Sequence, residues 1–230
     1  MPRLKSLAKR QEQAAQLIAA LNEHYGELSC SLVYADPWQL LVGGILAAQC
    51  TDARVNQVTR PLFERWPEVR DFSELEPLDI EPYIKSCGLY HNKAKGICGS
   101  AHRITEVYGG EVPSEMDELL SLPGVGRKIA NLIRGEAFGI PGVVVDTHNL
   151  RVSNLLGLVS SKVPAKVETE LEKVLPQSEW TSWGHYMVTI GRDYCKARKP
   201  QCSSCPLSQH CSYAAALELQ DAGPEKEADA

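Results

Sequence analysis

The composition of this 230-residue chain is that of a folded protein with a weak acidic charge. Hydrophobic residues make up 43% of it, which excludes global disorder and suffices for one large domain or two modest ones. No apolar run reaches the roughly 18 residues of a membrane span. The basic N-terminus leads into glutamine and glutamate instead of an apolar signal segment. We therefore expect a soluble, cytoplasmic protein with no membrane partner.

The net charge of −5 is concentrated near the C-terminus. Residues 218–230 hold five acidic side chains and one lysine, so this segment contributes −4 and the rest of the chain −1. By contrast, Lys196, Arg198 and Lys199 lie between Cys195 and Cys211 with no acidic residue among them. A nearly neutral body argues against tight non-specific binding to nucleic acid, but it permits a locally basic surface.

In chain order, apolar residues recur at helical spacing almost throughout. The clearest stripes are Ala14, Leu17, Ile18 and Leu21, then Leu40, Leu41, Gly44, Ile45 and Ala48, then Leu171, Val174 and Leu175. Asp36 before Pro37 is typical of a capped helix start. The alternation typical of strands is nearly absent, so we predict an all-α protein of about ten short helices. The acidic segment 213–230 is predicted to be a disordered tail.

Residues 114–138 are predicted to form a helix, a turn and a second helix. Ser114 is the expected N-cap of the first helix, which ends near Ser121. Pro123 stops that helix, while Gly124 and Gly126 permit a tight turn. Helix starts leave amides unpaired, so the start of the next helix, near Arg127, is expected to bind phosphate regardless of the base sequence of the nucleic acid. A plain αα-hairpin uses the same residues and remains an alternative.

Lys128 and Asp146 are the two candidate catalytic residues. Lys128 falls in the first turn of the second helix, where a positive helix end and partial burial favour an uncharged amine nucleophile. The alternative is a lysine that pairs with phosphate. Asp146 follows three valines expected to be buried, so its carboxylate is expected to be partly desolvated and able to take a proton or stabilise positive charge. Its alternative role is an N-cap, and the two roles can coexist.

Four cysteines near the C-terminus have the spacing of an inorganic site. Cys195, Cys202, Cys205 and Cys211 are separated by six, two and five residues. Four thiolates this close bind zinc or an iron–sulfur cluster. Zinc ribbons usually present two Cys-x-x-Cys pairs, whereas this chain has one, so the spacing favours iron–sulfur and leaves zinc as the alternative.

Together these motifs resemble the endonuclease III family of the helix-hairpin-helix DNA glycosylase superfamily. The similar segments are residues 46–52 (LAAQCTD), 122–131 (LPGVGRKIAN), 145–148 (VDTH) and the cysteines, in the family's order. The resemblance implies a two-lobed all-α enzyme. One lobe would be a six-helix barrel of residues 30–140. The other would be an iron–sulfur lobe of residues 1–29 and 141–212.

The resemblance also implies a function and a set of roles. The protein is expected to be a bifunctional DNA glycosylase and AP lyase. Its expected substrate is duplex DNA with oxidised pyrimidines or abasic sites. It would act as a monomer, close to the nucleoid of a prokaryote. Lys128 would attack C1′, Asp146 would assist base loss, and the four cysteines would hold a [4Fe–4S] cluster. The expected DNA contacts are Gln49 and Leu89, which fill the gap left by an extruded nucleotide, with Gly124, Gly126, Arg127 and His148.

Departures from the family pattern leave alternatives open. Ala47, Ile129 and Leu155 replace a frequent serine, threonine and arginine, which affects substrate range and DNA affinity more than reaction type. One alternative is the related adenine-mismatch glycosylase, which typically lacks a lysine at position 128 and carries a further C-terminal domain. Another is a non-catalytic DNA-binding protein with a cluster, which has no need of both Lys128 and Asp146.

Overall fold

The computed structural model describes residues 4–221, which form two compact units. The central unit is Cys30–Gly142. The composite unit joins residues 4–29 to 143–221. Every regular element in the described residues is a helix, which confirms the all-α prediction.

The central unit contains seven α-helices around one hydrophobic core. They are α2 (Pro37–Leu46), α3 (Asp52–Arg65), α4 (Val69–Ser73), α5 (Pro77–Ile84), α6 (Tyr90–Tyr108), α7 (Met116–Leu120) and α8 (Arg127–Phe138), with a 3₁₀ turn at Lys85–Cys87. The long α6 packs against α4 and α5, and α2 contacts both α6 and α8. As predicted, Leu40, Leu41 and Ile45 are buried, but every residue from Leu40 to Leu46 is buried as well, so this part of α2 is buried on all sides. The helix ends at Leu46, so the predicted extension of the stripe to Ala48 is wrong and Ala48 is exposed.

The composite unit has five α-helices around a second core. They are α1 (Leu7–Tyr25), α9 (Thr147–Leu156), α10 (Pro164–Val174), α11 (Trp180–Asp193) and α12 (Ser212–Asp221), with 3₁₀ turns at Gln177–Glu179, Cys202–Ser204 and Ser208–His210. The predicted stripe of α1 is buried along its length. α1 packs on α10, and α9 packs on α11 and α12. These contacts hold Asp146 and the four cysteines in one folded body.

Two predictions about helix starts have different outcomes. Asp36 caps α2 as predicted, because its carboxylate accepts a hydrogen bond from the Gln39 amide at 2.8 Å. The prediction that Ser114 caps the next helix is wrong, because α7 begins at Met116 and Glu115 occupies the cap position. The first α-helical bond there runs from the Leu119 amide to the Glu115 carbonyl, so the main chain turns helical one residue later than the serine pattern indicates.

The predicted disordered tail begins too early. Residues 212–221 form α12, which packs beside α9, and its buried Ala214 lines the pocket of the four cysteines. The remaining predicted tail, residues 222–230, lies outside the described residues. The described chain thus has twelve α-helices where about ten were predicted, because α4 and α7 are only five residues long.

Membrane insertion finds no support in the helices of residues 4–221. None of them combines the length and the apolar character that crossing a bilayer requires.

Candidate functional site

The turn between α7 and α8 is anchored by two buried side chains. Leu122 and Val125 are 2% and 7% exposed, and the Val125 amide donates to the Leu122 carbonyl at 3.1 Å. Pro123, Gly124 and Gly126 lie at the surface between and beside them. Gly124 has φ of +82°, in the left-handed region that favours glycine. The predicted helix-turn-helix is therefore present, with its second helix beginning at Arg127 as predicted.

Three small residues of α6 pack against this turn, namely Gly96, Gly99 and Ser100. A Cβ on Gly124 would lie 3.3 Å from the Gly96 Cα, and a Cβ on Gly99 would lie 3.1 Å from the Pro123 ring. The buried Ser100 hydroxyl donates to the Pro123 carbonyl at 2.7 Å. Because main chain meets main chain here, the position of the turn is set by close packing and one buried hydrogen bond.

The start of α8 presents a helix N-terminus without a side-chain cap and two cationic side chains. Gly126 occupies the N-cap position without a side chain to accept hydrogen bonds from the first turn. Arg127 and Lys128 are exposed in that turn. The expected partial burial of Lys128 is wrong for the protein alone, because it is the second residue of a helix that starts at the surface. A positive helix end without a side-chain cap and two basic side chains together suit a phosphate group.

Gln49 and Leu89 share an unusual backbone conformation in the central unit. Their φ values are +54° and +48°, and Lys199 is the only other non-glycine residue in the described chain with a positive φ. Both side chains are exposed, Leu89 at 56%. A left-handed residue with a side chain costs about 1 to 2 kcal/mol, and backbone outliers of this kind cluster at functional sites. An exposed leucine held in such a conformation is typical of a binding surface.

Asp146 is the N-cap of α9. Its Oδ1 accepts from the Asn149 amide at 2.8 Å, and its carbonyl accepts from the Leu150 amide at 2.9 Å. Val143 and Val145 are buried as predicted, whereas Val144 is only half-buried and would meet a Cβ on Gly184 at 3.4 Å. Asp146 is a half-buried residue.

A buried polar network supports this cap from inside the composite unit. The Asn149 amide group donates to the Val144 carbonyl at 2.7 Å, and its Oδ1 accepts from the Ser153 hydroxyl at 2.7 Å and the Trp183 indole at 3.3 Å. All three side chains are fully buried. Because every member finds a partner, the network fixes the start of α9 and thereby the direction of Asp146.

His148 packs into the protein more closely than a surface contact residue would. A Cβ on Gly191 would lie 2.5 Å from the His148 Nδ1, so α11 accepts the imidazole only because residue 191 is glycine. The Arg151 guanidinium lies 3.4 Å from the same nitrogen and donates to the Cys195 carbonyl at 2.6 Å. The half-buried His148 thus links the start of α9 to the main chain at the first cysteine.

The four cysteines of the composite unit line a single cavity. Cys195, Cys202, Cys205 and Cys211 surround a space of about 390 Å³ that is partly open to solvent. Its other walls include the apolar side chains Leu155, Leu156, Ile190, Leu207 and Ala214. The buried amide of Gln13 on α1 donates to the Leu156 and His210 carbonyls, each at 2.7 Å, and so holds the turn that precedes Cys211.

The chemistry of this donor set suits a bound metal centre. All four cysteines are free of disulfides and line one pocket with apolar walls. Burial raises the pKa of Cys195 to about 11, against the opposing charge of Arg151, so the thiolate form needs a cationic partner. Four thiolates around an apolar cavity suit iron–sulfur.

The loop between the first two cysteines carries the predicted basic surface. The Gln201 amide donates to the Tyr194 carbonyl at 2.9 Å, which closes the loop at its base. Lys196, Arg198 and Lys199 are exposed on it, and Lys199 has φ of +56°. The loop therefore presents three cations on a main chain that the cysteine region shapes.

Several residues that shape the site were not predicted from the sequence. Gly96, Gly99 and Ser100 recur on one side of α6, a small-residue spacing that indicates close approach of another segment. Lys93 is buried on the same helix, which no charge pattern predicted. Leu155, expected near DNA, instead lines the cysteine cavity, and the Cys211 thiol points to its carbonyl at 3.7 Å.

The chain is similar in sequence to known DNA repair proteins over most of its length. Residues 42–177 match a family described as the HhH-GPD superfamily of base excision DNA repair proteins, and residues 195–211 match the iron–sulfur binding domain of endonuclease III. The chain is 44% identical over 214 residues to endonuclease III of Synechocystis, covering 93% of this chain and 98% of the relative. It is 43% identical over 192 residues to that of Bacillus subtilis, covering 83% and 88%.

The fold is also similar to those of solved structures. A trapped covalent intermediate of endonuclease III with DNA, an estranged-adenine complex, superposes with a TM-score of 0.85 at 40% identity, covering 90% of this chain and 98% of that one. A thermostable thymine-DNA glycosylase, at 24% identity and a TM-score of 0.78, shares the fold.

Substituting the two glycines of the turn should have unequal effects on stability. Gly124→Ala combines a positive φ with a 3.3 Å approach to Gly96, so we expect the free energy of unfolding to fall by about 1 to 3 kcal/mol. Gly126→Ala meets nothing within 4 Å at a φ of −105°, so it carries only the cost of alanine being a poorer N-cap than glycine, about 0.5 kcal/mol. Urea unfolding without DNA measures both; equal losses would contradict the packing argument.

Replacing one cavity cysteine should remove the iron. In Cys202→Ser we expect the visible iron–sulfur absorbance and the bound iron and sulfide to be lost, because the donor set is incomplete. Cys30→Ser, a half-buried cysteine of the central unit, is the matched control and should retain both. Metal analysis that finds zinc in the unaltered protein would contradict the cluster.

Proposed function

Because the chain belongs to the endonuclease III family of base excision DNA repair proteins, we propose that it is a bifunctional glycosylase and AP lyase for oxidised pyrimidines in duplex DNA. The observation that supports this best is Lys128, an exposed amine in the first turn of α8, a helix whose N-cap position is the glycine Gly126 and so has no side-chain cap. A phosphate bound at that helix N-terminus would bring the deoxyribose of a target nucleotide within reach of the amine.

The reaction follows from an amine nucleophile. The Lys128 nitrogen forms a bond to C1′ while the bond from C1′ to the base breaks, and the base leaves with the electron pair. Loss of a proton from nitrogen and opening of the sugar ring give an imine between Lys128 and C1′. Removal of a proton from C2′ then expels the 3′ phosphate by β-elimination and cleaves the strand. Water releases the enzyme from the imine.

Asp146 supplies the carboxylate that base loss requires. Positive charge develops on the sugar as the bond to the base breaks, and a half-buried carboxylate stabilises that charge more strongly than an exposed one. The cap to Asn149 and the buried network beneath it limit the side chain to one direction. Catalysis benefits because the carboxylate is already oriented before substrate arrives.

The remaining predicted residues bind DNA or the cluster. Gly124 and Gly126 would let the duplex backbone approach the turn, with Arg127 on the same phosphate and His148 supporting the backbone at α9. Gln49 and Leu89 would fill the gap left by the extruded nucleotide. Cys195, Cys202, Cys205 and Cys211 would hold the [4Fe–4S] cluster, which keeps the basic loop in shape to contact phosphate.

Borohydride trapping tests the nucleophile. With abasic duplex DNA, the unaltered protein should form a covalent adduct when the imine is reduced to a stable amine. Lys128→Gln should lose the adduct while still binding the DNA, and the exposed Lys166→Gln on α10 should retain it. Undiminished trapping by Lys128→Gln would reject the assignment.

Lesion specificity is tested on a panel of duplexes. Duplexes with thymine glycol, an abasic site, uracil or an adenine mismatch are each incubated with the purified protein, and nicking is scored. We expect cleavage of the thymine glycol and abasic duplexes. Nicking only of the adenine mismatch would favour the mismatch glycosylase, and binding without nicking would favour the non-catalytic alternative.

A conservative change at Asp146 separates its two roles. Asn is an equally good N-cap, so Asp146→Asn should keep its stability and lose the charge. We expect excision of thymine glycol to slow by about 100-fold or more, with a smaller effect on cleavage of preformed abasic sites. Asp36→Asn, at a cap with the same 2.8 Å geometry, is the matched control and should not change excision. Normal excision by Asp146→Asn would reject its catalytic role.

A further inference from the structure

Lys93 is a buried ammonium without a carboxylate partner. Its side chain on α6 is 5% exposed, and Nζ donates to the Leu46 carbonyl at 2.9 Å and the Cys87 carbonyl at 2.7 Å. Among residues 4–221 no carboxylate forms an ion pair with it, and burial lowers its pKa despite the opposing thiols of Cys87 and Cys50. Burial of an unpaired cation carries a free-energy cost, which apolar residues of similar length would avoid.

Both carbonyls that accept from Lys93 are at helix ends. Leu46 is the last residue of α2, and Cys87 is the last residue of the 3₁₀ turn. Carbonyls at the end of a helix lack intrahelical partners and carry partial negative charge. One ammonium thus satisfies the ends of two segments that are far apart in the chain and joins them inside the central unit.

The two left-handed residues follow directly after these helix ends. Gln49 comes three residues after Leu46, and Leu89 two residues after Cys87. The main-chain amide of Lys93 also donates to the Leu89 carbonyl at 3.1 Å, so Lys93 holds the Leu89 turn from both main chain and side chain. A strained, exposed turn keeps such a conformation only where surrounding contacts over-determine it.

We propose that Lys93 is a positioning residue, which fixes the Gln49 and Leu89 turns in the conformation that fills the gap in the duplex. This inference rests on the proposed function and goes beyond it, since Lys93 touches neither DNA nor the reacting atoms. Its effect is restricted to base-paired substrates. An abasic site in a single strand has no stack to open and no gap to fill, so Lys128 can react there without the two turns.

Comparison of paired and unpaired substrates therefore separates positioning from folding. Lys93→Met keeps the length of the side chain and removes its three donors. In single-turnover cleavage of an abasic site, we expect the duplex rate to fall by about 10- to 100-fold and the single-strand rate to stay unchanged. Lys95→Met, an exposed lysine on the same helix, is the matched control and should leave the ratio of the two rates unchanged.

A mutant cycle tests whether Lys93 acts through the two turns. Gln49→Ala with Leu89→Ala removes both side chains that the turns present, so adding Lys93→Met to that pair should slow the duplex reaction by less than about 2-fold further. Fully additive losses would overturn the proposal. So would an unchanged duplex rate in Lys93→Met, or equal losses on both substrates, because the latter indicates a role in the fold alone. Failure of the unaltered protein to cleave either abasic substrate would instead reject the proposed function, and this inference with it.

Discussion

The packing of one tight turn against three small residues of α6 is the constraint on which the rest of the central unit depends. Gly96 and Gly99 allow the main chain of Pro123 and Gly124 to approach closely, and Ser100 donates to the turn from inside the protein. A Cβ on Gly99 would lie 3.1 Å from the Pro123 ring, so the turn must shift to admit it. Because α8 starts directly after the turn, the same contact sets where Lys128 and the N-terminus of α8 lie.

Helix α6 has a second role at its N-terminal end. Lys93 joins the ends of α2 and the 3₁₀ turn one helical turn before the glycines begin, and the left-handed Gln49 and Leu89 follow those ends. A single helix thus holds both the turn that precedes Lys128, the proposed nucleophile, and the two turns proposed to fill the gap in the duplex. Sites built on rigid elements keep their geometry better than sites on loops alone.

In the composite unit, hydrogen bonds instead of close main-chain packing fix the position of Asp146. Asn149, Ser153 and Trp183 form a buried network beneath Asp146, and Arg151 connects the same helix to the main chain at Cys195. The cap role of Asp146 and the catalytic role proposed for it do not compete, because the hydrogen bond from the Asn149 amide uses one carboxylate oxygen and orients the other. Helix α9 accordingly supports both the acid and the cysteine cavity.

The sequence by itself determined the helical class, the turn at 122–126, the cap at Asp146 and the four-cysteine site. Each of these depends on local properties: apolar spacing, the backbone freedom of glycine, the short side chain of aspartate and the affinity of thiolates for iron. Three boundaries were predicted incorrectly from the sequence. They are the end of the apolar stripe of α2, the N-cap at Ser114 and the start of the C-terminal tail. Those boundaries are decided by burial against distant segments, as for Ala214 in α12.

Only the tertiary structure decided what α6 does. A lysine among polar neighbours and two glycines in a helix have no local signal for their partners, since those partners are carbonyls and main chain from segments distant in sequence. The exposure of Lys128 and the place of Leu155 in the cysteine cavity were likewise decided by packing. Local pattern specifies which element a residue joins, whereas long-range contact specifies what its side chain meets.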